Sequence, residues 1–296
     1  MASESSLTTV NRSRNIGKRY ADLHLHTRAS DGTLSVTGMV ARARENDLAT
    51  IAITDHDTIT PQLHTRITLI DKIEVITGTE VKVDIHGCRG EILGYFVDPH
   101  SDRLRRIFHS LTAARIARME EMVALCRRRV GKIISFGEVR SCAAGTIGRP
   151  HLAHILKEKR IVASTEEAFD RLIGRGKPCY VPLIQPSFTN VVDAIHAEDG
   201  VTSLAHPCLM RINDWENLLP VLKERGIDGI EVFYAYTKSR QKLYTTPEEL
   251  LQLAKKYGFL LTGGSDDHGP GSVRDSIGTI KVPMKYVDAL RRAAHL

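Results

Sequence analysis

The chain has 296 residues, 42% of them hydrophobic, which is enough apolar material for one large domain, or a domain with a substantial insert, and excludes disorder for its bulk. Forty-one Lys and Arg against thirty-five Asp and Glu leave a formal net charge of +6, a bias that suits an anionic ligand, without a long basic tract. No apolar run approaches the roughly 20 residues of a membrane helix, no signal-peptide core is present, and Cys88, Cys126, Cys142, Cys179 and Cys208 contain no Cys-x-x-Cys pair. The expectation is a cytoplasmic protein with reduced thiols, no membrane association and no obligate protein partner.

Residues 1–18 are rich in Ser, Asn and Arg and read as a flexible tail. From Tyr20 onward, seven short apolar runs read as buried strands: Ala21–His24, Ile51–His56, Val75–Glu80, Glu91–Phe96, Val201–His206, Ile230–Phe233 and Leu260–Asp266. Continuous apolar runs bounded by turns and separated by helical patterns predict parallel strands in β/α units. Between the fourth and fifth strands the rhythm breaks. Leu104, Ile107, Phe108 and Leu111, then Met119, Met122, Val123 and Cys126, keep the spacing of a long amphipathic helix. Ser164-Thr165-Glu166-Glu167 opens another helix in this region with a capping box. Residues 101–190 therefore form a helical insert, and 19–100 with 191–296 form the strand-bearing unit. Near the end, Thr246-Pro247-Glu248-Glu249 starts a helix that stops at Gly258.

The chemistry gathers at strand ends. In Asp22-Leu23-His24-Leu25-His26, alternate residues share a strand face, so both imidazoles enter one site and Asp31 returns on the next turn. An isolated His-x-His pair at a strand end needs no metal to explain it. Here, however, His56 follows the second strand, Glu80 ends the third, His206 ends the fifth, and Asp266 and His268 end the seventh. Five histidines and three carboxylates thus meet at the end where β/α barrels build active sites. Imidazole and carboxylate donors without thiolate suit zinc, manganese or iron, and eight candidates exceed one tetrahedral ion. Three carboxylates carry about −3 against about +4 to +6 for two or three divalent ions, so the loaded site attracts phosphate. Phosphate-ester hydrolysis is the expected reaction, with a metal-bridging hydroxide as nucleophile.

The motifs His24-Leu25-His26, Ser30-Asp31-Gly32, Thr54-Asp55-His56-Asp57, Gly78-Thr79-Glu80, Ala205-His206-Pro207 and Gly264-Ser265-Asp266-Asp267-His268 resemble the ordered motifs of the PHP (polymerase and histidinol phosphatase) family. The likeness covers nearly all of residues 20–270. Within the insert, Gly148-Arg149-Pro150-His151, Ala168-Phe169-Asp170-Arg171 and Gly174–Pro182 look like the branch of nucleoside 3′,5′-bisphosphate phosphatases and a related 5′→3′ exoribonuclease. The resemblance implies an α/β fold, a distorted (β/α)7 TIM-like barrel of the PHP type, with metals at its C-terminal face. It implies His24, His26, Asp31, His56, Glu80, His206, Asp266 and His268 as ligands of two or three divalent ions. Asp31, His56 and His206 take the catalytic roles, His206 or another site imidazole moving a proton. Relatives often carry His before Ile-Leu-Gly-Tyr, where this chain has Glu91, a candidate ninth ligand; His86 lies nearby but out of register.

Arg149, His151, Arg175 and Lys177 are candidate substrate-binding residues, positioned to grip a second phosphate or a phosphodiester backbone. Arg127-Arg128-Arg129 is read as a solvated helix end and Trp215 as a packing anchor. The expected substrate is a nucleoside 3′,5′-bisphosphate or a short 5′-phosphorylated RNA. Rival readings are a phosphatase of a small metabolite, such as histidinol phosphate or a cyclic sugar phosphate, and a noncatalytic PHP-like binding module.

Overall fold

The computed structural model describes residues 20–85, 87–131, 134–143, 146–236 and 242–296, so the expected tail and His86 lie outside the described residues. The strands are β1 (Tyr20–Leu25), β2 (Leu48–Ile53), β3 (Ile67–Ile70), β4 (Ile73–Ile85), β5 (Cys88–Tyr95), β6 (Val201–Leu204), β7 (Gly229–Tyr234), β8 (Leu260–Gly264) and β9 (Val282–Pro283). The helices are α1 (Val36–Glu45), α2 (Asp102–Val130), α3 (Phe136–Ser141), α4 (Arg149–Glu158), α5 (Thr165–Ala168), α6 (Phe188–His196), α7 (Trp215–Glu224), α8 (Pro247–Lys256) and α9 (Met284–Ala293).

One sheet runs in the order β8-β7-β6-β5-β4-β2-β1-β9, with β3 paired to β4. It nearly closes on itself, because Leu25 bridges Asp267 in parallel and the His26 amide donates to the Asp267 carbonyl at 2.9 Å. The result is a distorted TIM-like barrel. Gly264 makes that closure possible: a Cβ there would stand 2.4 Å from both the backbone nitrogen and the Cβ of His24.

The expectation of seven parallel strands is corrected at the fourth. Glu91–Tyr95 of that run falls on β5, with Phe96 just past its end, and β5 runs antiparallel to both β4 and β6. Only residues 86 and 87 separate β4 from β5, with Gly87 at φ 82°, and a link that short closes a hairpin. A parallel return needs a crossover of about a dozen residues or more. Two further strands, β3 and β9, have no counterpart in the expected set.

The helix punctuation acts as read. The Thr246 hydroxyl accepts the Glu249 amide at 3.1 Å, the Ser164 hydroxyl accepts the Glu167 amide at 3.1 Å, and Gly258 leaves α8 at φ 70°. The long helix α2 serves two apolar clusters. Leu104 and Leu111 pack with Val191, Ile195 and Leu219, whereas Met119, Met122, Val123 and Cys126 pack with Leu152, Leu156 and Ile173. Between Asp102 and Tyr180 no strand occurs among the described residues. This two-faced helix joins the helical segment to the barrel and brings Arg115 and Arg118 to a cleft shared with Lys82, Glu91 and His206.

Candidate metal and phosphate site

β1 carries His24 and the chain runs on past Leu25 to His26, both histidines fully buried, while Leu25 between them enters the apolar core on the opposite face. The His24 Nδ1 donates to Glu231 Oε1 at 2.9 Å, which turns Nε2 toward Glu80 Oε1 at 3.4 Å and Asp266 Oδ1 at 3.6 Å. His26 Nε2 lies 3.1 Å from Asp266 Oδ1 and 3.5 Å from Glu80 Oε2. The other Asp266 oxygen is already engaged, by the Tyr234 hydroxyl at 2.8 Å and by Arg274. Asp266 Oδ1 is thereby left to the imidazoles.

Asp31 sits on the turn after β1, 55% exposed at the mouth of the site. The buried Asp55 ties that turn down, accepting from the Thr27 amide at 2.7 Å, the Thr27 hydroxyl at 2.7 Å and the Ser30 hydroxyl at 2.6 Å. Asp31 Oδ1 lies 3.3 Å from His268 Nε2, and Oδ2 lies 3.8 Å from His56 Nε2. His268 Nδ1 points back to the Asp266 carbonyl at 2.9 Å, and His56 Nδ1 lies 2.7 Å from Glu80 Oε2. His268 is thereby anchored through Nδ1, so its Nε2 faces Asp31, while both nitrogens of His56 face carboxylates of the cluster.

His206 has φ 28° and Asp266 φ 53°, conformations that non-glycine residues rarely adopt and that here aim side chains off the strand ends. The His206 amide donates to Glu231 Oε2 at 2.7 Å, and its Nε2 reaches Glu80 Oε1 at 2.9 Å and Glu91 Oε2 at 3.1 Å. Burial opposes charge on this ring, yet the two carboxylates raise it to about 10. Burial also opposes charge on His24, but the Glu231, Glu80 and Asp266 carboxylates hold it well above the usual imidazole range. His26 goes the other way, pushed by burial and the neighbouring His56 down to about 3. Burial works against the charge of Asp31, which the His268 hydrogen bond and the His56 charge hold below the carboxylate range.

The buried donors are incompletely partnered. His24 Nε2, both ring nitrogens of His26, and Asp266 Oδ1 have no aligned hydrogen bond, a costly arrangement unless another group satisfies them. Donor atoms of three groups each fall within 4.8 Å of one another: His26 with Asp31, His56 and His268; His24 with His26 and Glu80; and His56 with Glu80 and Glu91. Imidazole nitrogen and carboxylate oxygen without thiolate form a donor set that fits divalent ions.

Beside this cluster opens a cleft of about 680 Å³, into which Lys82, Arg89, Arg115, Arg118, Arg149 and Arg274 all face. Arg149 lies over the rings of Phe169 and Tyr180, at 5.2 and 5.6 Å from their centroids. Burial and the neighbouring Arg149 charge push Arg118 down to about 10, and burial lowers Arg149 as well. The other three residues singled out in the helical segment stand elsewhere. The His151 ring accepts the Gly148 amide at 3.0 Å and caps α4, while Arg175 and Lys177 are exposed on a turn and are not among the residues lining the cleft. Sequence reading missed Lys82, Arg89, Arg115, Arg118, Arg274 and Glu231. Only Lys82 carried a usable signal, because it follows Glu80 by two residues and so shares its strand face.

A family model described as PHP domain matches residues 22–175. A 5′-3′ exoribonuclease of Haemophilus influenzae is 30% identical over 257 residues, covering 86% of this chain and 91% of the relative. A 3′,5′-nucleoside bisphosphate phosphatase of Chromobacterium violaceum is 28% identical, covering 87% of this chain and 90% of the relative. Among solved structures, one from Bifidobacterium adolescentis, assigned as a metal-dependent phosphoesterase, superposes with a TM-score of 0.72 at 26% identity, covering 92% of this chain and 96% of that one.

Proposed function

The chain belongs to the PHP-domain family of metal-dependent phosphoesterases and is a hydrolase, and from that premise we propose that its substrate carries two phosphates or a phosphodiester backbone: a nucleoside 3′,5′-bisphosphate or a short 5′-phosphorylated RNA. The observation that carries this reading is the set of six cationic side chains facing one cleft next to the buried His and carboxylate cluster. Lys82, Arg115 and Arg274 are met by Glu91, Asp57 and Asp266, but one phosphoryl group beside divalent ions does not need the other three, Arg89, Arg118 and Arg149. A second phosphate, or a backbone leading away from the scissile one, does. The relatives named for exoribonuclease and bisphosphate phosphatase activities fall in the same two substrate classes.

In this reading His24, His26, Glu80 and Asp266 would hold one divalent ion, and Asp31, His56 and His268 would hold another; Mn, Zn or Fe suits such donors. When bound, the ions supply water activation at neutral pH and neutralise charge on the phosphate oxygens. The protein does the rest. Arg115, Arg118 and Arg149 orient the phosphates, and the aromatic rings beneath Arg149 hold its guanidinium in place. Asp31, exposed at the mouth, meets the entering water, and His56 is aimed at it from the floor. His206, with Nε2 between Glu80 and Glu91, keeps a proton available for the leaving oxygen.

The test is a comparison of kcat/KM on a nucleoside 3′,5′-bisphosphate, a 5′-phosphorylated oligoribonucleotide, histidinol phosphate and an aryl phosphate, with Mn, Zn and Fe supplied in turn. The two nucleotide substrates should lead by an order of magnitude or more. Highest efficiency on a simple monoester would overturn the substrate proposal.

A further inference from the structure

We propose that Lys82 acts as a built-in cation in the third donor group, so that this site takes two divalent ions and not three. The inference rests on reading the cluster as a metal centre and goes on to its stoichiometry.

The geometry comes from the β4–β5 hairpin. Glu80 and Lys82 lie on one face of β4, and Lys82 stands directly opposite Glu91 in the antiparallel register. The Lys82 amide donates to Asp57 Oδ1 at 3.0 Å, which fixes the backbone from which the side chain departs. Its Nζ then lies 3.0 Å from Glu91 Oε1 and 3.3 Å from His56 Nδ1, against two of the three residues of the group formed by His56, Glu80 and Glu91. The second Glu91 oxygen is taken by His206 Nε2 at 3.1 Å.

The three groups therefore differ in kind. In the groups built on His24 and His26, His24 Nε2 and both His26 ring nitrogens are buried without an aligned partner, whereas Glu80 Oε2, likewise without one, belongs to the His24 group and to the third alike and does not distinguish them. Around Glu91 a cation is already present, covalently attached to the strand. A divalent ion inserted there would meet an ammonium at contact distance in a partly buried site, where like charges are poorly screened. Lys82 is 31% exposed, enough for an ammonium donor not used by Glu91 to reach a substrate oxygen in the cleft it lines. It thus supplies one fixed positive charge without competing for metal.

Metal counting tests this without reference to turnover. The full chain is stripped with chelator, reloaded with Mn(II), freed of excess ion and analysed for bound metal per chain. Wild type should hold two ions. Lys82→Ala should gain one and hold three, because Glu91 is released as a carboxylate donor, and Lys82→Ala/Glu91→Ala should return to two. Lys82→Arg, which keeps the charge, should stay at two. Should Lys82→Ala fail to fold by circular dichroism, Lys82→Met retains the aliphatic stem and replaces it in the same count. Three ions in wild type, or two in the charge-removing single variant, would overturn the inference while leaving the phosphoesterase reading intact. No bound ion in wild type would remove both.

Discussion

His24 Nδ1 and Glu231 Oε1 lie 2.9 Å apart, with both side chains fully buried, in a contact that joins β1 to β7 across the barrel interior. The same carboxylate accepts the His206 amide through its other oxygen at 2.7 Å. Glu231 touches no candidate substrate residue, yet it sets which nitrogen of His24 faces Glu80 and Asp266 and it fixes the unusual backbone of His206.

Glu231→Gln should therefore loosen the site rather than the fold. The Gln amide group must face one of two N–H donors that now meet a carboxylate oxygen, so one anchor is lost. Metal affinity should fall by about 10- to 100-fold, the scale found when an outer partner of a ligating imidazole is removed. Competition with a metal-sensitive dye measures it. An affinity equal to wild type would show that Glu231 only fills space.

Arg149→Ala should act on specificity. Held over Phe169 and Tyr180, the Arg149 guanidinium projects into the cleft lined by Arg115 and Arg118. Losing a charge-assisted hydrogen bond to a second phosphate costs about 1.5 to 3 kcal/mol, or roughly one to two orders of magnitude in kcat/KM on a nucleoside bisphosphate. An aryl phosphate should be much less affected. Equal losses on both would move Arg149 into the machinery common to all substrates.

Asp55→Ala should release the turn that carries Asp31. Its carboxylate now satisfies the Thr27 amide, the Thr27 hydroxyl and the Ser30 hydroxyl, and the deletion leaves those donors without their acceptor. The expected loss is about 2 to 4 kcal/mol of unfolding free energy by urea titration. Isosteric Asp55→Asn should lose less, since one oxygen still accepts. A loss below about 0.5 kcal/mol for the Ala variant would mean the turn is held by something else.

A pH effect is expected far from the site, at His196 and Asp228. His196 Nε2 lies 2.7 Å from Asp228 Oδ2, which also accepts the Thr202 amide and hydroxyl, each at 2.9 Å. The hydrogen bond to Asp228 raises His196 above its ordinary 6.5; burial works against the Asp228 charge, but the contact with His196 brings that carboxyl below its ordinary 3.8. The His196 contribution is fully present below 6.5 and is lost as pH rises through the raised value. The Asp228 contribution is present above 3.8 and lost as pH falls through the lowered value. Urea unfolding of His196→Gln should show a larger deficit near pH 6 than near pH 9 at constant metal loading. Equal deficits at the two pH values would remove the charge from the account.

Local pattern was legible. The Thr246-Pro247 start of α8, the three-and-four spacing of α2, and the His24–His26 alternation each depend on neighbours within a turn or a strand pair, where backbone geometry alone decides which side chains share a face. The convergence of five imidazoles with Asp31, Glu80 and Asp266 was also readable, because residues at the same ends of successive strands in β/α units are bound to meet. The direction of β5 was not, since an apolar run reads alike in either direction and only the two-residue link to β4 separates the cases.

By itself, then, the sequence determined seven of the nine described strands, their order and the end of the barrel where the chemistry lies. The tertiary structure alone decided which cations face that end. Arg115 and Arg118 sit in the middle of α2, Arg274 follows β8, and Glu231 hides within an apolar strand, with nothing local to mark any of them. Arg175 and Lys177, in a Gly-rich stretch, are exposed and stand outside the cleft lining. Period and punctuation are properties of a few consecutive residues, whereas a cleft is made of side chains from β4, β5, α2, α4 and the loops after β6 and β8, and their meeting depends on how whole elements pack.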